Sequence, residues 1–186
     1  TYVRMANGSF GYTAFAADVF ARRIVGWACA TTMDTGELPL QALEQAMSWA
    51  ASHGGTDGLV HHSDHGARYI GLVCTTRVGE FGMLPSAGTV GDSYDNAMAG
   101  SADGAYKTGL VWRRKPFRDL RDLELATFRW VSWWNSKRLR RSLGYGTPER
   151  TETEFMQTKR RKPPHYKGGT KIRPYHLSIK RKRFLK

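Results

Sequence analysis

Two aspartates lie at the ends of apolar segments that are typical of buried strands. Asp18 lies near the end of the run 10–19, and Asp64 follows the run 59–63. A carboxylate that emerges from a hydrophobic strand is costly to bury unless it meets a cation. Two such carboxylates on neighbouring strands would repel each other without a divalent metal ion, and oxygen ligands suit Mg²⁺ or Mn²⁺ better than zinc. The pair therefore predicts a metal site, although each Asp alone is also typical of a turn or a helix cap.

The segments that must position these aspartates predict a mixed α/β fold. Strands are expected at residues 2–3, 10–19, 23–30, 59–62 and 83–85. Helices are expected at 37–51, 69–81, 94–106 and 119–135, with a last helix from Pro148. Strands first, followed by strands in alternation with helices, favour an α/β chain with a mixed sheet flanked by helices.

The basic residues are concentrated at the C-terminal end. Residues 159–186 hold 12 Lys or Arg and no acidic residue, whereas residues 1–158 carry a net charge of only +1. Within that first part, residues 1–106 carry −5 and residues 107–158 carry +6. A basic segment predicts contact with nucleic-acid phosphates, although a charge run is also typical of a solvated surface.

The domain organisation follows from the same change in composition. After Met156 the chain is rich in Lys, Arg, Pro and Gly, so we expect a core over residues 1–157 and a basic, disordered tail over 158–186. The chain begins at Thr1 rather than Met, which suggests an N-terminally truncated piece of a longer protein. No apolar run is long enough for a membrane span, and Cys29 and Cys74 in apolar surroundings favour a reduced, cytoplasmic protein.

Four blocks of sequence resemble the integrase core of bacterial insertion-sequence transposases, which are relatives of the retroviral integrases with a ribonuclease-H-like fold. The resemblance runs in order over about residues 1–157. The blocks are Asp18–Trp27 (DVFARRIVGW), His61–Gly66 (HHSDHG), Gly91–Ala97 (GDSYDNA) and Trp133–Tyr145 (WWNSKRLRRSLGY), the last followed by Thr147 and Pro148.

The resemblance implies a catalytic triad of Asp, Asp and Glu that holds two metal ions, Mg²⁺ or Mn²⁺, for attack on a phosphodiester. Asp18 and Asp64 match the first two positions. Counting on from Asp64 by the family's usual spacing reaches Gly100, where the chain has Ala99-Gly100-Ser101 and the family has a Glu. Glycine has no side chain that can ligate a metal, so we expect one bound ion rather than two, and impaired cleavage and strand transfer.

Asp103 is the nearest substitute for the absent Glu. A helix would place it about 5–6 Å from Gly100 at Cβ, but its side chain is one methylene shorter than Glu. Metal sites tolerate little displacement of a ligand, so we expect Asp103 not to complete the triad. Asp92 and Asp95 belong to a block that family members retain beside their Glu, so we interpret them as loop and cap residues.

The expected partner is DNA, and a set of basic and imidazole side chains is predicted to contact it. Zinc at the His cluster near Asp64 is a weak alternative, because no Cys pair accompanies it. Trp130, Trp133 and Trp134 are interpreted as core residues because they recur at helical spacing. The predicted nucleic-acid contacts are His62, His65, Lys107, Arg138, Arg140, Arg141, Lys159, Arg160, Arg161 and Lys162.

Three readings therefore stay open at this point: two functions, and a structural relic that has neither. The first is DNA transposition or integration in the bacterial cytoplasm at the nucleoid, by a full-length protein that forms a homo-oligomer, as the resemblance implies. The second is a non-catalytic remnant of a transposase that binds nucleic acid through its basic surfaces. Metal-dependent nicking of DNA separates the two functions.

Overall fold

The sheet of this protein is mixed, and its longest strand ends at Asp18. In the computed structural model, residues 1–32, 37–53, 55–56, 59–63, 76–86, 93–114, 116–161 and 176–179 are described. Their strands, in chain order, are β1 (Tyr2–Arg4), β2 (Phe10–Asp18), β3 (Ile24–Ala30), β4 (Val60–Ser63), β5 (Leu84–Ser86) and β6 (His176–Ile179).

Strand β2 organises the sheet because it has a partner along both edges. It pairs antiparallel with β3 on one edge, and on the other with β1 and then with β6. Strand β4 runs parallel to both β5 and β6. The order across the sheet is therefore β5, β4, β6, β2 and β3, with β1 beside the first part of β2.

The helices agree with the predicted ones within a few residues where they are described. They are α1 (Glu37–Ser52), α2 (residues 76–80), α3 (Ser93–Tyr106), α4 (Leu120–Ser136) and α5 (Pro148–Arg161). The first part of the predicted helix 69–81 lies outside the described residues. Helix α3 continues into a π-helical turn, Lys107–Val111, and a 3-10 turn spans Arg141–Leu143. None of the helices in the described ranges is long and apolar enough to cross a membrane.

Helices cover both faces of the sheet, because alternate residues of β2 point to opposite sides. Phe15 belongs to a buried cluster with Tyr106 of α3 and Trp130 of α4. Ala16, one residue later, belongs to a second cluster with Leu43 of α1. Two layers of apolar packing therefore hold β2, and with it Asp18, in a fixed position.

Helix α1 lies directly on β3 because Gly26 has no side chain. A Cβ added at Gly26 would lie 1.9 Å from the Ala42 carbonyl oxygen, which is backbone and cannot rotate away. The buried residues of α1 recur at helical spacing, at Leu38, Ala42, Leu43, Ala46, Met47 and Ala50. This agrees with the predicted apolar face of the helix.

Helix α3 is fastened to α4 through a buried hydroxyl pair. The Tyr106 and Thr127 hydroxyls lie 2.6 Å apart, and the Cys29 thiol donates to the Thr127 hydroxyl at 3.7 Å. Burial raises the pKa of the Tyr106 phenol and of the Cys29 thiol, so both stay protonated at neutral pH. The helix that carries Gly100 is therefore anchored at its C-terminal end.

Part of the predicted tail has regular structure. Helix α5 continues to Arg161, past the predicted end of the core at 157, and His176–Ile179 forms β6. Strand β6 forms hydrogen-bonded ladders with both β2 and β4, and the expectation of a disordered tail over 158–186 stays a prediction. Residues 162–175 and 180–186 lie outside the described part of the chain.

Candidate functional site

Asp18 is fully buried at the end of β2, where its carboxylate caps a tight turn. One oxygen accepts a hydrogen bond from the Ala21 N–H at 2.7 Å, and the other accepts from the Phe20 N–H at 3.3 Å. The ladder with β3 shifts register between Ala16 and Ala17, a bulge of the kind that redirects side chains near active sites. These two backbone hydrogen bonds fix the orientation of the Asp18 carboxylate at the end of β2.

The turn after Asp18 is held by α4. Arg22 has a positive φ of 59°, and its carbonyl accepts a hydrogen bond from the Trp134 indole at 3.1 Å. Asn135 accepts from the Ile24 N–H and donates to the Ile24 carbonyl, both at 2.9 Å. These three bonds tie the block around Asp18 to the block around Trp134, which are more than a hundred residues apart in the chain.

Helix α5 supports the same turn from another side. Arg23 donates to Glu152 at 2.6 Å, and Glu152 is 6% exposed. The Phe20 and Phe155 rings lie 5.0 Å apart. A partly buried ion pair and an aromatic contact therefore fix the turn, and the position of Asp18 depends on residues from three elements.

The second predicted carboxylate, Asp64, lies outside the described residues, so its distance to Asp18 stays a prediction. The strand before it, β4, is described, and His61 on it is buried. Leu177 of β6 pairs with both Asp18 and His61. In the described part of the sheet β6 therefore lies between β2 and β4.

Gly100 and Asp103 lie one turn apart on α3. Gly100 is half-buried, and Asp103 is 6% exposed. Asp103 shares a face with the buried residues Ala102 and Tyr106 and adds to the raised pKa of Tyr106. The predicted helix around position 100 is thus present, and the assignment of Gly100 to the third ligand position stays a prediction.

No group of three His, Cys, Asp or Glu side chains in the described ranges is arranged to hold a metal ion. Of the predicted ligands only Asp18 lies in those ranges. Its oxygen donors and fixed orientation fit Mg²⁺ or Mn²⁺ as one ligand. Gly100 offers no ligand. The metal site therefore stays a prediction that depends on Asp64.

Arginines gather around Trp134, beside the Asp18 turn. Arg140 lies over the Trp134 ring, 3.8 Å from guanidinium carbon to ring centroid, and Arg138 lies over the same ring at 4.7 Å. Burial and the charges of Arg138 and Arg22 lower the pKa of Arg140 to about 10. In the part of the chain that the structure describes, the buried Nε and Nη2 of Arg140 have no hydrogen-bond partner. The Arg140 guanidinium in this environment is suited to bind an anion.

The other predicted DNA contacts are distributed over several surfaces. Lys107 lies over the Tyr2 ring, with its Nζ 4.7 Å from the centroid, and Arg141 is exposed at the start of the 3-10 turn. His62 lies on β4, and Lys159, Arg160 and Arg161 end α5. His65 and Lys162 lie outside the described residues.

The tryptophan interpretation is confirmed for two of the three residues. Trp130 and Trp134 are 5% and 2% exposed and belong to the core. Trp133 is 44% exposed. It lines a pocket of about 660 Å³ between the π-helical turn and α4, which we call the arginine pocket. Its charged lining residues are Arg113, Arg114, Arg129 and Arg138.

Sequence reasoning missed the arginine pocket, Arg22 and Asn135. Arg113 and Arg114 stand next to each other in the sequence, a weak sign of a basic surface. Arg129 and Arg138 join them only because α4 packs against the π-helical turn. Arg22 lies in the block around Asp18, in which the aspartate is the only residue predicted to be functional.

Comparison with known proteins identifies the family. Residues 82–148 match the model of the integrase core domain. The chain is 46% identical over 155 residues to the transposase for insertion sequence element IS629 of Shigella sonnei. It is 28% identical over 150 residues to the transposase for insertion sequence element IS904 of Lactococcus lactis. A protein of element IS986/IS6110 from Mycobacterium tuberculosis is 42% identical over 163 residues.

The chain is a homologue of insertion-sequence transposases with an integrase core domain.

The matches cover 80–87% of this chain and 50–58% of the length of these three relatives. The predicted family is confirmed. An integrase core domain implies a ribonuclease-H-like fold, and the mixed sheet flanked by helices agrees with the predicted α/β class. The family match includes Gly100, the arginine pocket and the arginines around Trp134.

Proposed function

We propose that the chain is the catalytic core of a transposase that cuts and joins DNA strands, with activity reduced because Gly100 replaces a carboxylate. The observation that carries this proposal is the buried Asp18, fixed by two backbone N–H groups at the end of β2, in a chain homologous to transposases. Its substrate is DNA, in the cytoplasm at the nucleoid, and the full-length protein acts as a homo-oligomer.

The residues of this chain have separate roles in the proposed reaction. Asp18, together with Asp64, holds Mg²⁺ or Mn²⁺ and fixes it against the sheet. When bound, such an ion activates the attacking hydroxyl and offsets the charge on the leaving oxygen. Arg138 and Arg140, held on the Trp134 ring beside the Asp18 turn, orient the DNA backbone through its phosphates. His62 and His65 contact DNA near the ion.

The test places a carboxylate at position 100 and compares it with an uncharged side chain of the same shape. Gly100→Glu is expected to raise Mg²⁺-dependent nicking of a supercoiled plasmid by about a thousandfold, since about 4 kcal/mol of transition-state stabilisation returns. Gly100→Gln is the matched control, because it has the same shape and helix preference without a charge. Equal rates for the Glu and Gln variants would contradict a ligand at this position.

Asp18 is tested in the restored background. Asp18→Asn, combined with Gly100→Glu, is expected to abolish nicking while DNA binding is kept. Nicking that survives this change would come from another site or from a contaminating nuclease, and the assignment of Asp18 would fail.

A second function is favoured by Gly100 and by the environment of Arg140. A protein without the third ligand, but with arginines suited to anions, would bind DNA without cutting it. This alternative holds if every variant binds DNA with a steep dependence on salt and none nicks it.

A further inference from the structure

The arginine pocket has the features of an anion site, and it shares Arg138 with the arginines around Trp134. Its charged lining residues are four arginines and no carboxylate. Arg114 is paired with Asp122 at 2.7 Å. Arg113, Arg129 and Arg138 have no carboxylate partner in the described ranges. Three uncompensated cations around one cavity favour an anionic ligand.

A buried hydrogen-bond donor faces the same cavity. Trp130 is 5% exposed, and its Nε1 has no hydrogen-bond partner within the described part of the chain. A Cβ added at Gly109 would come within 3.4 Å of this nitrogen, so glycine leaves the indole edge open. Buried donors are paired in the great majority of cases, and one without a partner at a cavity wall indicates a ligand acceptor.

The local backbone adds an independent sign of function. Gly109 lies in the π-helical turn that extends α3, where the Trp112 N–H donates to the Lys107 carbonyl at 2.8 Å. Single π-helical turns are uncommon and occur often at functional sites. This one widens the helix where it lines the pocket opposite Trp130.

We propose that the arginine pocket binds a phosphate of the DNA backbone, with Trp130 Nε1 donating to a phosphate oxygen and Arg113, Arg129 and Arg138 neutralising its charge. This inference rests on the proposed function. Gly109 lies nine residues after Gly100, about 13 Å along the helix.

The first arm of the test compares arginines of α4 that differ only in position. Arg129→Gln removes a pocket charge, and Arg121→Gln removes an exposed charge of the same helix outside the pocket. Binding of a labelled duplex to the full chain is measured by fluorescence anisotropy over a range of salt concentrations. Arg129→Gln is expected to weaken binding several-fold and to reduce the slope of log K against log salt by about one, with a smaller change for Arg121→Gln.

The second arm fills the pocket without changing charge. Gly109→Leu covers the Trp130 indole and is expected to weaken duplex binding several-fold. Gly104→Leu is the matched control, because a Cβ there meets nothing within 4 Å. Circular dichroism measures whether each variant is folded. If Gly109→Leu is unfolded, the comparison of Arg129→Gln with Arg121→Gln decides the question.

The third arm observes the indole itself. The ¹H–¹⁵N signal of the Trp130 side chain, assigned with Trp130→Phe, is expected to shift when duplex is added. Inorganic phosphate is titrated separately. A shift with phosphate alone, together with unchanged duplex affinity of Arg129→Gln, would mean a free-anion site and would overturn the proposal.

The outcomes separate this inference from the proposed function. Equal effects of Arg129→Gln and Arg121→Gln would overturn the pocket, even if Gly100→Glu nicks DNA through Asp18. Loss of duplex binding at the pocket in a protein that never nicks DNA would support the pocket and refute the catalytic proposal.

Discussion

Asn135 on α4 and Ile24 on β3 exchange two hydrogen bonds of 2.9 Å each, one to the Ile24 N–H and one to its carbonyl. Asn135 is 8% exposed and Ile24 is 3% exposed, so water cannot easily replace either bond. The side-chain amide continues the edge of the sheet as another strand would. This contact places α4 and its arginines beside the turn that carries Asp18.

The first prediction is that Asn135→Ala lowers the free energy of unfolding by about 2–4 kcal/mol, because two buried backbone groups lose their partners. Urea denaturation measures the change. Ser136→Ala is the control, since the exposed Ser136 hydroxyl bonds only to its own helix and its loss is expected to cost less than about 0.5 kcal/mol. Similar losses for the two variants would show that the Ile24 contact adds nothing to stability.

The second prediction concerns the contact of α1 with β3. Gly26→Ala places a methyl group 1.9 Å from the Ala42 carbonyl oxygen, so α1 must move and stability is expected to fall by about 1–3 kcal/mol or more. Gly104→Ala, in an open position on α3, is expected to stabilise by about 0.5–1 kcal/mol. Thermal denaturation compares the two; a neutral Gly26→Ala would refute the close approach.

The third prediction separates stability from binding at Arg140. Arg140→Met keeps an apolar contact with Trp134 and removes buried N–H groups that have no partner, so the unliganded protein is expected to gain about 1 kcal/mol. Duplex binding is expected to weaken. Arg141→Met, at the exposed neighbour, is the control and should leave stability within about 0.5 kcal/mol. A less stable Arg140→Met protein would mean that the guanidinium is already compensated.

The fourth prediction is that Asp103 does not replace the third ligand. Asp103→Asn is expected to leave Mg²⁺-dependent nicking unchanged within about twofold, in both the Gly100 chain and Gly100→Glu, since its side chain is buried on the face shared with Ala102 and Tyr106. If Asp103→Asn abolishes nicking by the Gly100 chain, and Gly100→Glu does not raise it, Asp103 is the third ligand.

The sequence by itself determined the family, the α/β class and most helices and strands. These depend on local patterns, such as the apolar run of β2 and the helical spacing of α1, and on blocks of residues that can be read in order. It also determined that glycine occupies position 100. None of these conclusions depends on which distant segments pack together.

Only the tertiary structure decided which residues from distant segments meet around Asp18 and at the arginine pocket. The helical spacing of Trp130, Trp133 and Trp134 predicts that all three are core residues. Packing buries Trp130 and Trp134, but it leaves Trp133 exposed at the arginine pocket. The sequence pattern also does not indicate that β6 lies between β2 and β4. The physical reason is that these outcomes depend on contacts between segments far apart in the chain. Asn135 and Ile24, 111 residues apart, meet only because both faces of the sheet must be covered.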